Sequence, residues 1–174
     1  MKKISQLTTR DLKWIQPSTF RMLYELRTNG ELAGMLSFRS AFGTLATGES
    51  EDGCWTFKRV GFFQTRVSIR VSGEADDLAI FRNNTWSGGG TLEVRGGKRF
   101  LADTNFWHSN LQFKTESGEA LVQFKTGGLI HLNATVEIEP RAAGLEQLPL
   151  IVMLGWYLIL MMNSDSAASA VIIG

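Results

Sequence analysis

The chain is poor in the residues that build reactive sites. Its 174 residues include one cysteine, Cys54, and two histidines, His108 and His131. A single cysteine excludes an intrachain disulfide and a cysteine-based zinc site, and fits a reducing compartment. Two histidines far from Cys54 form neither a metal-ligand set nor a triad. Ser109 beside His108 is no nucleophile–base pair, because neighbours on a strand point to opposite faces. His131, within Leu129-Ile130-His131-Leu132-Asn133, reads as an ordinary strand residue. No acidic loop has calcium-binding spacing. The glycine runs Gly88-Gly89-Gly90 and Gly96-Gly97-Lys98 lack both the Gly-Lys-Ser/Thr ending and the following helix of a phosphate loop. No catalytic residue, metal or cofactor is therefore expected, and a non-enzymatic role follows.

Charge of one sign is also lacking. The net charge is +1, which gives no general attraction to nucleic acid, so none is expected as a partner. The N-terminus starts with Lys2 and Lys3, but Thr9, Arg10, Asp11 and Lys13 interrupt the apolar stretch that a secretory signal needs. A cytoplasmic protein is the expectation.

What is present is a β pattern. At 44% apolar and 20% charged residues, the chain has the composition of one globular domain. Turn glycines recur every 20 to 23 residues, at Gly30, Gly53, Gly73, Gly96 and Gly118. That interval holds two strands and a turn, as in a meander of hairpins. Between the turns, residues alternate with period two, as in Val67-Ser68-Ile69-Arg70-Val71, Leu111-Gln112-Phe113-Lys114-Thr115 and Leu121-Val122-Gln123-Phe124-Lys125. Eleven or twelve strands of about 5–6 residues fit between Phe20 and Glu139. No long helical pattern precedes Arg141.

From Leu148 the texture changes. Leu148 to Met162 is apolar on every face and ends at Asn163-Ser164-Asp165-Ser166. A helix apolar all round is buried in protein or in lipid. The run from Leu150 to Met162 is about 20 Å long, against roughly 30 Å of hydrocarbon. Continuation through 167–173 would carry Asp165 into a membrane, at about 2.5–3.5 kcal/mol. A closed barrel of more than eight strands, in turn, needs something to fill it, and a helix about 10–12 Å across is suitable. The expectation is a closed antiparallel β-barrel of about twelve strands around a buried hydrophobic C-terminal α-helix. Its alternatives are a tail-anchored membrane protein with a cytosolic β domain, and a ligand-binding or hydrolytic barrel.

Strands followed by one fully apolar helix resemble the tubby C-terminal-like superfamily, and within it the LURP-one-related and phospholipid-scramblase-like branch. The resemblance is carried by Trp55-Thr56-Phe57-Lys58-Arg59-Val60-Gly61-Phe62-Phe63, by Arg66-Val67-Ser68-Ile69-Arg70, by the glycine break before Thr91-Leu92-Glu93-Val94, and by the helix Leu150 to Met162. It implies a twelve-stranded barrel wrapped around its C-terminal helix. It also implies, as a partner, an anionic phospholipid or a protein the sequence does not identify, with a location at or near a membrane surface. The candidate headgroup contacts are Lys58, Arg59, Arg66, Arg70 and Lys98. Alternation puts Arg66 and Arg70 on one face, and cations gathered there could hold an anionic headgroup. Phe62 and Phe63 are candidate membrane contacts, since a loop tip with Lys, Arg and Phe can enter a lipid interface.

Overall fold

A computed structural model describes residues 1–7, 11–61, 65–84, 88–105, 109–128 and 131–172. Twelve strands are found among them: β1 (Leu12–Ile15), β2 (Leu23–Thr28), β3 (Glu31–Phe38), β4 (Ala46–Ser50), β5 (Gly53–Val60), β6 (Arg66–Val71), β7 (Ala79–Asn83), β8 (Gly90–Val94), β9 (Arg99–Thr104), β10 (Asn110–Thr115), β11 (Ala120–Gly127) and β12 (Asn133–Ile138). Each pairs antiparallel with the next, and β1 pairs with β12 through Leu12↔Val136 and Trp14↔Ala134. The barrel is therefore closed and has no sheet edge to aggregate. The last element, α1 (Leu148–Ile172), runs through it.

The expected fold class is what the chain adopts. Two bounds differ. The first strand lies upstream of Phe20, because four residues, Leu12 and Trp14 inward and Lys13 outward, are enough to close the ring. The helix does not stop at Asn163. It continues to Ile172 with its 163–171 stretch exposed. Ala167, Ala168 and Ala170 favour helix, and two hydroxyls find acceptors one turn back: Ser166 Oγ donates to Met162 O and Ser169 Oγ to Asp165 O.

Alternation sorts the strand side chains. Val67 and Ile69 of β6, and Leu111 and Phe113 of β10, point inward. In β11 both Leu121 and Val122 are buried, because a bulge opposite Phe113 and Lys114 inserts one extra residue. The inward side chains meet α1, which is buried from Leu148 to Met161. The helix is long and apolar enough to cross a membrane, with a mean hydropathy of 1.4, but its apolar part lies inside the barrel.

Aromatic rings fix the helix in place. Trp156 stacks on Trp14 at 5.7 Å and meets the edge of Tyr24 at 5.6 Å. Tyr157 lies between Phe38 and Phe57, at 5.8 and 5.5 Å. The indole N–H groups of Trp14 and Trp156 have no acceptor among the described residues. An unpaired donor costs about 1–3 kcal/mol. Burying a Trp ring of 150–250 Å² contributes roughly 4–6 kcal/mol, so burial wins. Between these aromatic contacts, on β3 and β4, the barrel makes room for the helix with glycine. Gly34 and Gly48 face Met153, and a Cβ on Gly34 would come within 2.5 Å of Met153 Cε.

The two barrel ends differ. At the entry end, where α1 begins, the β2–β3 and β4–β5 connections are two-residue turns. Asn29 and Gly30 have φ of +50° and +80°, the requirement of a two-residue type I′ hairpin. The 3₁₀ turn Ile4–Gln6 plugs this end: Ile4 is buried and its N–H donates to Asp52 Oδ2 at 2.6 Å. At the exit end the connections 16–22, 39–45, 61–65, 84–89, 105–109 and 128–132 are longer, and the tail of α1 emerges among them.

Candidate functional site

The sequence proposed five cations as one patch, and the barrel distributes them. Register Lys58↔Ser68 and Val60↔Arg66 puts Lys58 and Arg66 outward, near the exit end. Both are exposed, and neither has an ion pair among the described residues. Arg70, opposite Thr56, lies lower on the same wall. Its Nε donates to Asp77 Oδ1 at 2.7 Å, and Ser68 Oγ donates to the same oxygen at 2.5 Å. The Ser68 hydrogen bond, then Arg70, hold the Asp77 carboxyl below the usual carboxylate range. Leu45, Thr56, Lys58, Val60, Ser68 and Arg70 line a shallow cleft of about 180 Å³ on this wall.

Lys98 is not part of the patch. It sits in the β8–β9 turn at the entry end, where its Nζ donates to Gln147 Oε1 at 3.3 Å. Arg59 is not on the outer wall either. It follows Trp55 and Phe57 in the inward phase of β5, so its side chain turns into the barrel mouth. There Nη1 is 2.7 Å from Asp165 Oδ2 on the emerging tail of α1. Tyr157 braces the same point: its Oη accepts the Arg59 backbone N–H at 3.0 Å and donates to Thr44 O at 2.6 Å. Burial is the main reason the Tyr157 phenol is pushed up to about 12. Phe62, Phe63 and His108 lie outside the described residues. His131 is exposed in the β11–β12 connection. In the glycine run, Gly88 and Gly89 have φ of +65° and +95°, and a Cβ on Gly89 would lie 2.0 Å from Ala102 O. Close backbone approach at the start of β8 accounts for these glycines.

Sequence reading overlooked an asymmetry of the whole barrel. At the exit end stand Arg21, Arg39, Lys58, Arg59, Arg66 and Arg82, with Glu25, Asp103 and Asp165 as acids among the described residues. The entry end carries both signs: Glu51, Asp52, Glu74, Asp76, Asp77, Glu116, Glu119, Glu139 and Glu146 lie in or beside its turns, together with Arg27, Arg95, Lys98, Arg99 and Arg141. The near-zero net charge thus conceals an excess of cations at the exit end. The cationic end also carries exposed apolar side chains: Phe20 is 97% exposed, Phe42 103% and Val171 80%, with Met22 beside them. Because a meander sends every second connection to the same end, the signal was present in the order of loops and charges.

Comparison with protein-family models, with curated proteins and with solved structures finds no match to this chain.

Proposed function

We propose that the protein is a non-enzymatic module, tubby-like in fold, that docks with its exit end on an anionic phospholipid surface from the cytoplasmic side. The observation that carries this reading is the coincidence of exposed Lys58 and Arg66, which have no ion pair among the described residues, with exposed Phe20, Met22 and Phe42 at one end of the barrel. A cation near an anionic leaflet contributes about 1 kcal/mol, and aromatic side chains enter the interface beneath the headgroups. Lys58 and Arg66 are the headgroup contacts at that end. The closed twelve-stranded barrel around a C-terminal helix supports the tubby-like assignment.

Flotation with phosphatidylglycerol vesicles tests the reading. Binding at low salt is expected, weakening as salt screens the charges. Lys58→Gln with Arg66→Gln should lower the affinity about 30-fold, the equivalent of ~2 kcal/mol. Phe20→Ala with Phe42→Ala should remove the part that resists salt. Absence of wild-type binding at low salt would falsify the proposal.

A further inference from the structure

At the exit end a cavity of about 380 Å³ opens between the β3–β4 connection and the end of the buried part of α1. Met22, Phe38, Phe42, Leu160 and Met161 supply apolar walls, and Arg59 supplies a cation. The volume falls in the range of small-ligand sites, and Thr44, Asn163 and Ser164 add polar groups to the lining. The guanidinium there is unusual. The inward phase of β5 is otherwise Trp55 and Phe57, both packed in the core. A strand that continued this phase for packing alone would end in another apolar residue.

The charge is held loosely and its surroundings firmly. Among the described residues the acid paired with Arg59 is Asp165, whose side chain is 58% exposed against 26% for Arg59. An ion pair at that exposure contributes only about 0.2–1 kcal/mol. The backbone beneath it is clamped instead: the Tyr157 hydroxyl bridges Arg59 N–H and Thr44 O, and Thr44 Oγ1 donates to Arg59 O at 3.3 Å. An incoming anion can therefore replace Asp165 without disturbing the site. The apolar walls and the exposed Phe42 and Met22 at the mouth suit a hydrocarbon chain.

The geometry points to a binding site for a single-chain anionic amphiphile, its acid group on Arg59 in place of Asp165 and its chain against Met22, Phe38, Phe42, Leu160 and Met161. This site stands independently of docking on a membrane surface. Asp165 acts as an internal competitor that occupies the cation while the cavity is empty.

Calorimetric titration with dodecanoate below its micelle concentration tests the assignment. Wild-type protein should bind it. Dodecanol, with the same chain and no charge, should bind about ten-fold more weakly or less, and Arg59→Gln should lose dodecanoate affinity to a similar degree. Asp165→Asn is the discriminating variant. Removing the competitor should tighten dodecanoate binding about two- to five-fold. A merely structural ion pair would give no change or a loss. A parallel titration with a soluble lysophosphatidylglycerol separates a free acid from a lipid headgroup as the source of the anion. The inference is overturned if neither amphiphile binds, if Arg59→Gln binds as wild type does, or if Asp165→Asn fails to tighten binding. Thermal unfolding of both variants shows that the fold is retained, and the exposed Asp165 keeps the test valid should Arg59→Gln fail to fold.

Discussion

The ring of Phe124 on β11 lies directly against the backbone of Gly155 in the central helix: a methyl group on Gly155 would sit 2.2 Å from Phe124 Cζ. The contact sets how closely α1 approaches that wall, and it opposes local propensity. In an exposed helix Gly→Ala would stabilise by about 1 kcal/mol. Here overpacking costs about 1–3 kcal/mol, so Gly155→Ala should be destabilising by roughly 1 kcal/mol in chemical denaturation. Adding Phe124→Leu should recover part of the loss, as expected for residues in contact. Gly155→Glu should abolish folding, since it buries an unpaired charge. A Gly155→Ala protein more stable than wild type would refute this packing.

Tyr157→Phe removes a hydroxyl that both accepts and donates inside the barrel mouth. The Arg59 N–H and Thr44 carbonyl lose their partner, at about 1–3 kcal/mol. The hydroxyl also sets an alkaline limit. Burial raises the folded phenol from 10 to about 12, so between these values the unfolded chain loses its proton first. The contribution is whole below pH 10 and is lost as pH rises through about 12. Urea denaturation from pH 9 to 11 should show a steeper decline in wild type than in Tyr157→Phe. Parallel declines would show that Tyr157 is not the group responsible.

Asp77 holds Arg70 near the entry end, away from the proposed docking surface. Asp77→Asn removes the charge facing Arg70 while leaving an acceptor for Ser68. Affinity for phosphatidylglycerol vesicles docked at the exit end should change less than about two-fold, because salt confines the effect of a surface charge to about a Debye length. A rise of about five-fold or more in a flotation series would place the docking surface on the lower wall instead.

The tail of α1 should be dispensable for folding and the buried part indispensable. A chain ending at Met162 loses the exposed helix and the Arg59–Asp165 pair, worth about 0–1 kcal/mol. Its melting temperature should fall by a few degrees at most. A chain ending at Glu146 loses the core of the barrel and should be recovered only as aggregate. A cooperative melt from the shorter chain would mean that the barrel stands without its helix.

The strands were legible because their signals are local. Period-two alternation marks Val67 and Ile69 or Leu111 and Phe113 as inward, and turn glycines such as Gly30 mark where hairpins reverse. The four-residue β1 escaped notice because so short a run carries little periodicity, and its place is set by pairing with both β2 and β12. Alternation placed Arg66 and Arg70 on one face, and the pairing of β5 with β6 puts Lys58 on the same wall. Arg59 was grouped with them although alternation from Trp55 and Phe57 already turned it inward. Lys98 resembled the other cations in composition, but the meander carries it to the far end, beside Gln147.

Sequence alone determined that this chain makes hairpins and ends in a helix with no polar face, because alternation, turn chemistry and apolarity act over a few residues. Apolarity alone suits lipid and protein equally, and only the strand count, which calls for a filled lumen, pointed to protein. Closure of β1 on β12 decided this by creating a lumen of the helix's width. The same closure brought Asp165 to Arg59 across 106 positions of chain and gathered Lys58 and Arg66 with Phe20 and Phe42 at one end. Those are distances through space, and only the folded barrel fixes them.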